Sequence, residues 1–192
     1  MTSGAVSILP GLLAVALLTA CGDGQEEAKQ ASLTLRDLQN AEYPSQWPAS
    51  GRAKLVNGRF REPAAPGAAT DILVRATEHY AFGDLDGDGA GDAVVVLESD
   101  PGGSGVFFDL VALLNRNGQA VPLPPVPLGD RVQVNDVAIR NGNVQVDLVK
   151  HGPDDPQCCP SLDVSLPYRL EGDTLVPAGQ DPSRDSAAPS TR

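Results

Sequence analysis

The sequence predicts a mainly β protein, an antiparallel sandwich or open barrel with one short N-terminal helix and flexible termini. Three observations carry that reading. Short apolar segments of strand length recur between clusters of turn-forming residues. Asn57-Gly58 and Asn141-Gly142 sit between such segments, where a two-residue hairpin turn needs residues that tolerate positive φ. The chain also holds 20 Gly and 17 Pro among 192 residues, about a fifth of it, against roughly 12% in average proteins. That excess suits many turns and does not suit a helix bundle.

From the N-terminus, residues 1–20 carry no charge, and Ile8–Leu18 is an apolar run broken only by Pro10 and Gly11. Such a run is too short to cross a bilayer core of ~30 Å, which needs roughly 20 helical residues. It fits the core of a signal peptide, roughly 7–15 residues long, although Met1–Ser7 lacks the usual Lys or Arg. Leu18-Thr19-Ala20-Cys21 resembles the lipobox of bacterial lipoproteins. The resemblance implies cleavage before Cys21 and acylation of that residue with chains such as palmitate. Two or more acyl chains hold a protein stably on a membrane. Gly22 stands at the sorting position and leans towards the periplasmic face of an outer membrane. The expected address is the bacterial cell envelope, lipid-anchored and extracytoplasmic.

Residues 21–31 are polar and read as a tether. Thr34 is placed as an N-cap with Asp37 three residues on, so a helix is expected from Leu35 to Ala41, stopped by Pro44. Lys54-Leu55-Val56 and Arg59-Phe60 are expected to pair across Asn57-Gly58. Asp71–Phe82 alternates loosely. Ala93–Leu97 is continuously apolar and reads as a strand buried on both sides, paired with Val106–Leu114. Val132–Val134, Val137–Ile139 and Val144–Leu148 follow, then Leu162–Leu170 and Thr174–Val176. Pro167 suggests that Leu162–Leu170 is an edge strand. One domain is expected over 32–177, with a disordered tail over 178–192.

Phe82-Gly83-Asp84-Leu85-Asp86-Gly87-Asp88-Gly89-Ala90-Gly91-Asp92 is the sharpest constellation. Carboxylates at alternate positions converge where the backbone coils about a point, and Gly89 permits the sharp turn. Four carboxylates within nine residues repel one another unless a cation neutralises them. A calcium site is expected, serving to lock the loop; Mg²⁺ demands tighter octahedral geometry. Val95 stands where an EF-hand needs a bidentate Glu, so an EF-hand is excluded. The segment resembles the calcium loop of FG-GAP repeats of integrin-type propellers. That resemblance implies Asp84, Asp86, Asp88 and Asp92 as side-chain ligands, with the Ala90 carbonyl beside them. It covers one loop only, and a propeller needs several blades.

Cys158 and Cys159 are adjacent in a Pro-rich loop that begins at His151. With Cys21 acylated, they have each other or another molecule, and an oxidising compartment favours a disulfide between them. A redox switch, or a soft-metal site with His151, are the functional alternatives to rigidifying the loop. His79 reads as a packed or surface histidine. Ser104 reads as a hairpin residue, because Val106 replaces the second glycine of a nucleophile elbow. A net charge of −11 argues against nucleic acid. Four Phe, three Tyr and one Trp leave little for an aromatic glycan platform. Gly83–Gly89, Gly102–Gly105, Leu128–Arg131 and His151–Pro160, in that order, look like a family of uncharacterised bacterial lipoproteins. The likeness spans roughly Leu33 to Val176 and implies no particular activity. The expected role is a calcium-stabilised module that binds an envelope protein or glycan, or supports the envelope. The alternative is a thiol, redox or metal-dependent envelope enzyme centred on His151 and Cys158-Cys159.

Overall fold

The computed structural model describes Met1 and residues 31–179. The expected leader, Cys21, nearly all of the tether and most of the tail lie outside the described residues. Among the described residues, no helix is long and apolar enough to cross a membrane.

The architecture grows from two adjacent strands, β5 (Asp92–Asp100) and β6 (Phe107–Arg116), at the heart of a six-stranded antiparallel sheet. Side chains alternate across a strand, so an apolar residue at every position demands cover on both faces. Ala93, Val95 and Leu97 of β5 join Val111 and Leu113 of β6 on one face. Val94 and Val96 join Leu110, Ala112 and Leu114 on the other. The expectation of a strand buried on both sides is met.

The first face is covered by the N-terminal layer: helix α1 (Leu35–Asn40) and a two-stranded sheet of β1 (Glu42–Pro44) and β2 (Arg52–Lys54). At the helix start, the Asp37 carboxylate accepts from the Thr34 amide at 2.8 Å and the Thr34 hydroxyl at 2.6 Å. Leu38, Tyr43, Ala53 and Leu55 then seat fully buried on the sheet. The Tyr43 hydroxyl donates to the Leu38 carbonyl at 2.7 Å, and burial pushes its pKa well above the usual tyrosine value.

The second face packs on a four-stranded sheet ordered β12-β11-β10-β9. These strands are β9 (Gln133–Arg140), β10 (Asn143–Lys150), β11 (Leu162–Glu171) and β12 (Thr174–Pro177). Val137, Val144, Val146, Leu148, Tyr168 and Leu175 meet the β5–β6 residues there. The result is a β-sandwich with an added N-terminal layer.

Three local expectations need correcting. Asn57 (φ 51°) and Gly58 (φ 80°) do make the left-handed turn, and Val56 and Arg59 bridge across it, each amide donating to the other's carbonyl at 2.8 and 3.2 Å, but the pairing stops there and β2 does not continue it. Lys54 lies opposite Glu42, and the Leu55 amide donates to the Ala41 carbonyl at 3.0 Å. Past the turn, β3 (Arg59–Pro63) leaves for the large sheet and pairs with β4 (Asp71–Gly83). Burying Leu55 in the covering layer forces that change of sheet. Secondly, β11 is interior. Pro167 lies opposite Gln145, and its carbonyl accepts from the Ala178 amide at 2.9 Å. In an antiparallel ladder a residue's N–H and C=O point the same way, so the missing donor faces Ala178, just past the end of β12, where the ladder closes on that single bond. Thirdly, Val132–Val134 and Val137–Ile139 belong largely to one strand, β9, irregular at Asn135.

Two strands escape sequence reasoning. β7 (Gln119–Pro122) and β8 (Val126–Asp130) share the outer edge of β6, one at each of its ends.

The acidic loop joins β4 to β5 at one end of the sandwich. The Asn141-Gly142 turn lies beside it: a Cβ on Gly142 would come within 3.8 Å of the Asp84 and Leu85 carbonyls. From that turn β10 runs eight residues to the loop holding His151 and the cysteines. At ~3.3 Å per residue, the two loops are roughly 23 Å apart along the strand. They occupy opposite ends.

Candidate metal centre

Asp84, Asp86 and Asp88 each accept amides that follow them, and this winds the backbone around the carboxylates. Asp84 accepts from the Gly87 amide at 2.7 Å and the Gly89 amide at 3.1 Å. Asp86 accepts from the Asp88 amide at 3.2 Å, and Asp88 from the Ala90 amide at 2.7 Å. Gly87 (φ 79°) and Gly89 (φ 83°) take the left-handed backbone that this coil needs and most side chains resist. One oxygen each from Asp84, Asp86 and Asp88 then lie within 4.8 Å of one another. Three converging hard oxygens suit Ca²⁺, which takes 6–8 oxygens at about 2.3–2.6 Å and accepts carbonyls and waters for the remainder.

Asp92 does not join that group. It is 1% exposed. Its two oxygens accept the amides of Leu85 and Asn115, both at 2.8 Å. Burial raises its pKa, the two amides lower it, and Asp86 and Asp88 raise it further; the net direction is upward. The resemblance implied a ligand; in the structure Asp92 braces the loop's first turn against β6 through these two amides. Ala90 is buried, and no contact distinguishes its carbonyl.

Two residues of β6 that sequence reasoning missed complete the centre. Arg116 pairs with Asp86 at 2.7 Å, leaving that carboxylate's side chain 16% exposed. This guanidinium competes with any cation for Asp86. Asn115 is buried; its amide nitrogen donates to the Ala31 carbonyl at 2.6 Å and the Gly91 carbonyl at 3.3 Å. Its oxygen accepts from Gly118 at 2.8 Å. The Leu33 amide also donates to the Gly91 carbonyl, at 2.9 Å. Gly91 must be glycine, because a Cβ there would collide with Ser32. The loop's end is therefore bound to the segment that leads in from residue 31. A polar residue closing the apolar run Leu110–Leu114 was the one signal that pointed to Asn115.

An open groove of about 660 Å³ runs beside the loop, lined among others by Asp84, Asp86, Asn141, Asn143 and Arg169. Arg169 is ion-paired with Glu171. At the groove's foot, Gly83 lets β4 approach β9: a Cβ there would lie 2.6 Å from Ile139.

At the far end the sulfurs of Cys158 and Cys159 are bonded to each other. Both residues are exposed. Asp155 organises this loop, accepting from the Gly152 amide at 2.8 Å, the Ser161 amide at 2.7 Å and the Ser161 hydroxyl at 2.7 Å. The Gly152 amide, foremost, with Ser161 and His151 holds the Asp155 carboxyl below its usual pKa. A depressed carboxyl contributes order above its unfolded pKa and loses it as pH falls through the folded value. Acidification is expected to lower the protection factors of the Gly152 and Ser161 amides, measured against their intrinsic exchange rates at each pH, while sheet amides keep theirs. His79 lies half-buried in β4, its amide donating to Thr77 Oγ1 at 3.2 Å, and Ser104 is exposed in the β5–β6 turn. Neither meets a partner for catalysis.

Fold and loop together define an antiparallel β protein with one convergent acidic centre among the described residues. Comparison of the chain with protein-family models, with curated proteins and with solved structures finds no match.

Proposed function

We propose that this chain is a lipid-anchored bacterial envelope protein whose β domain is locked by calcium and serves as a binding or structural module. The observation that carries the calcium part is the convergence of the Asp84, Asp86 and Asp88 carboxylates. The apolar leader and the Leu18–Cys21 lipobox support the anchor, which places the domain where calcium is plentiful. The groove beside the loop is the face offered to an envelope protein or glycan. Against an enzyme that joins the acidic centre to His151 and Cys158-Cys159 stands their placement at opposite ends of β10.

Calcium titrated into chelator-treated protein is expected to raise the melting temperature. At a hundredfold excess over Kd the gain is about 2.7 kcal/mol, or roughly 5–10 °C for a domain of this size. Asp88→Asn should blunt the response, and Arg116→Gln should shift it to lower calcium by removing the competing guanidinium. A flat melting curve at millimolar calcium would sink the reading. The anchor is tested separately: a fatty-acid probe should label the wild type in cells and not Cys21→Ala.

A further inference from the structure

We propose that Cys158-Cys159 is a thiol-exchange site, a disulfide that a dithiol opens and a disulfide oxidant re-forms without loosening the domain. A disulfide stabilises a fold chiefly by closing a chain loop, and the effect grows with the residues enclosed. This one joins neighbours and encloses none, so it cannot act as a staple. The loop is closed by other means, since Asp155 ties Gly152 to Ser161 across its base. The cysteines project beyond that clamp, both exposed, between Pro156 and Pro160. Attack by a thiolate needs access to a sulfur and no partial unfolding here. In the reaction, an incoming thiolate bonds to one cysteine sulfur. The S–S bond breaks, and the other sulfur leaves as a thiolate that takes a proton. The donor's second thiol then displaces the first cysteine as its thiol. Two electrons reach the protein and the donor dithiol becomes a disulfide. What changes is local: the small ring opens, and the 156–160 segment keeps the Asp155 clamp at its base and the hydrogen bond that the Cys159 amide donates to the Pro156 carbonyl, at 3.0 Å. The site thus presents two alternative surfaces at the end of the sandwich remote from the acidic loop, and it stands independently of the calcium reading.

Full-length protein in native buffer is treated with dithiothreitol, capped with N-ethylmaleimide and weighed intact. A Cys158→Ser/Cys159→Ser variant treated alike accounts for capping elsewhere, at Cys21. Two additional caps are expected on the wild type, with the melting temperature of the reduced protein unchanged. Hydrogen exchange should rise within 156–160 and stay constant at Gly152 and Ser161. In a reduced aliquot left uncapped, oxidised glutathione added after the dithiothreitol is removed should re-form the bond, so that the original mass returns and later N-ethylmaleimide adds no caps there. Capping that requires denaturant, a reduced protein that melts lower, or failure of the bond to re-form would each overturn the proposal. Should the variant not fold, the wild-type masses and melting curves still decide the outcome.

Discussion

Leu110→Ala together with Leu113→Ala is expected to remove most of the domain's stability, while either change alone leaves it folded and weakened. Both side chains are fully buried, on opposite faces of β6. Leu110 packs in the cluster between the two large sheets, and Leu113 in the cluster beneath the N-terminal layer. Truncating a buried leucine to alanine costs about 2–5 kcal/mol, through lost burial and the cavity left behind. A domain's total stability is roughly 5–15 kcal/mol. Because the two cavities open into different clusters and cannot merge, the losses should add to within about 0.5 kcal/mol. Urea midpoints of the two single variants and the double variant check this. A double variant no worse than the poorer single one would mean that the two layers unfold as separate units.

The double-faced burial of β5 was legible because an unbroken apolar run leaves no face for water. Asn57-Gly58 and Asn141-Gly142 were legible as turns because their positive φ restricts the residues that fit. How the chain pairs on either side of Asn57-Gly58 was not legible. β1 and β2 are three residues each, too short for a period, and their pairing depends on Leu55 and Tyr43 seating on a sheet the chain has yet to form. β7 and β8 were hidden by Pro122, Pro124, Pro125 and Pro127, which read as breakers. They sit at the outer edge of β6, where an absent N–H leaves no partner unsatisfied. Pro167 misled in the opposite sense, since one interior position beyond the end of β12 tolerates proline as an edge does.

The centre divides in the same way. Aspartates at alternate positions with glycines between them announce a coil of carboxylates, and Asp84, Asp86 and Asp88 converge as that pattern implies. Arg116 and Asn115 reach the centre from the far end of β6, and no local pattern carries such a contact. Adjacent cysteines invite a bond by adjacency alone. Whether they share a cleft with the acidic loop depended on strand order, and β10 sets the two apart.

Asp92→Ala is expected to destabilise the domain whether or not calcium is present, in contrast to Asp88→Asn. The carboxylate of Asp92 accepts the Leu85 and Asn115 amides in a site 1% exposed. Removing it orphans two N–H groups, and a buried unsatisfied donor costs about 1–3 kcal/mol. The loss should be roughly 2–5 kcal/mol once relief of the buried charge is set against it. Asp88 sits on the exposed loop and accepts one amide; asparagine keeps an oxygen for that bond, so Asp88→Asn should leave calcium-free stability nearly unchanged. The two variants thereby separate a strut from a proposed ligand. Thermal melts in chelator and in excess calcium give both quantities. If Asp92→Ala instead matches the wild type in chelator and has lost only its response to calcium, Asp92 is a ligand and the strut assignment fails. Asn115 ties Ala31 and Gly91 together at the point where Asp92 braces it. Loss of the strut should therefore also loosen the segment around residue 31, and limited proteolysis should cut Asp92→Ala ahead of Leu33 sooner than the wild type.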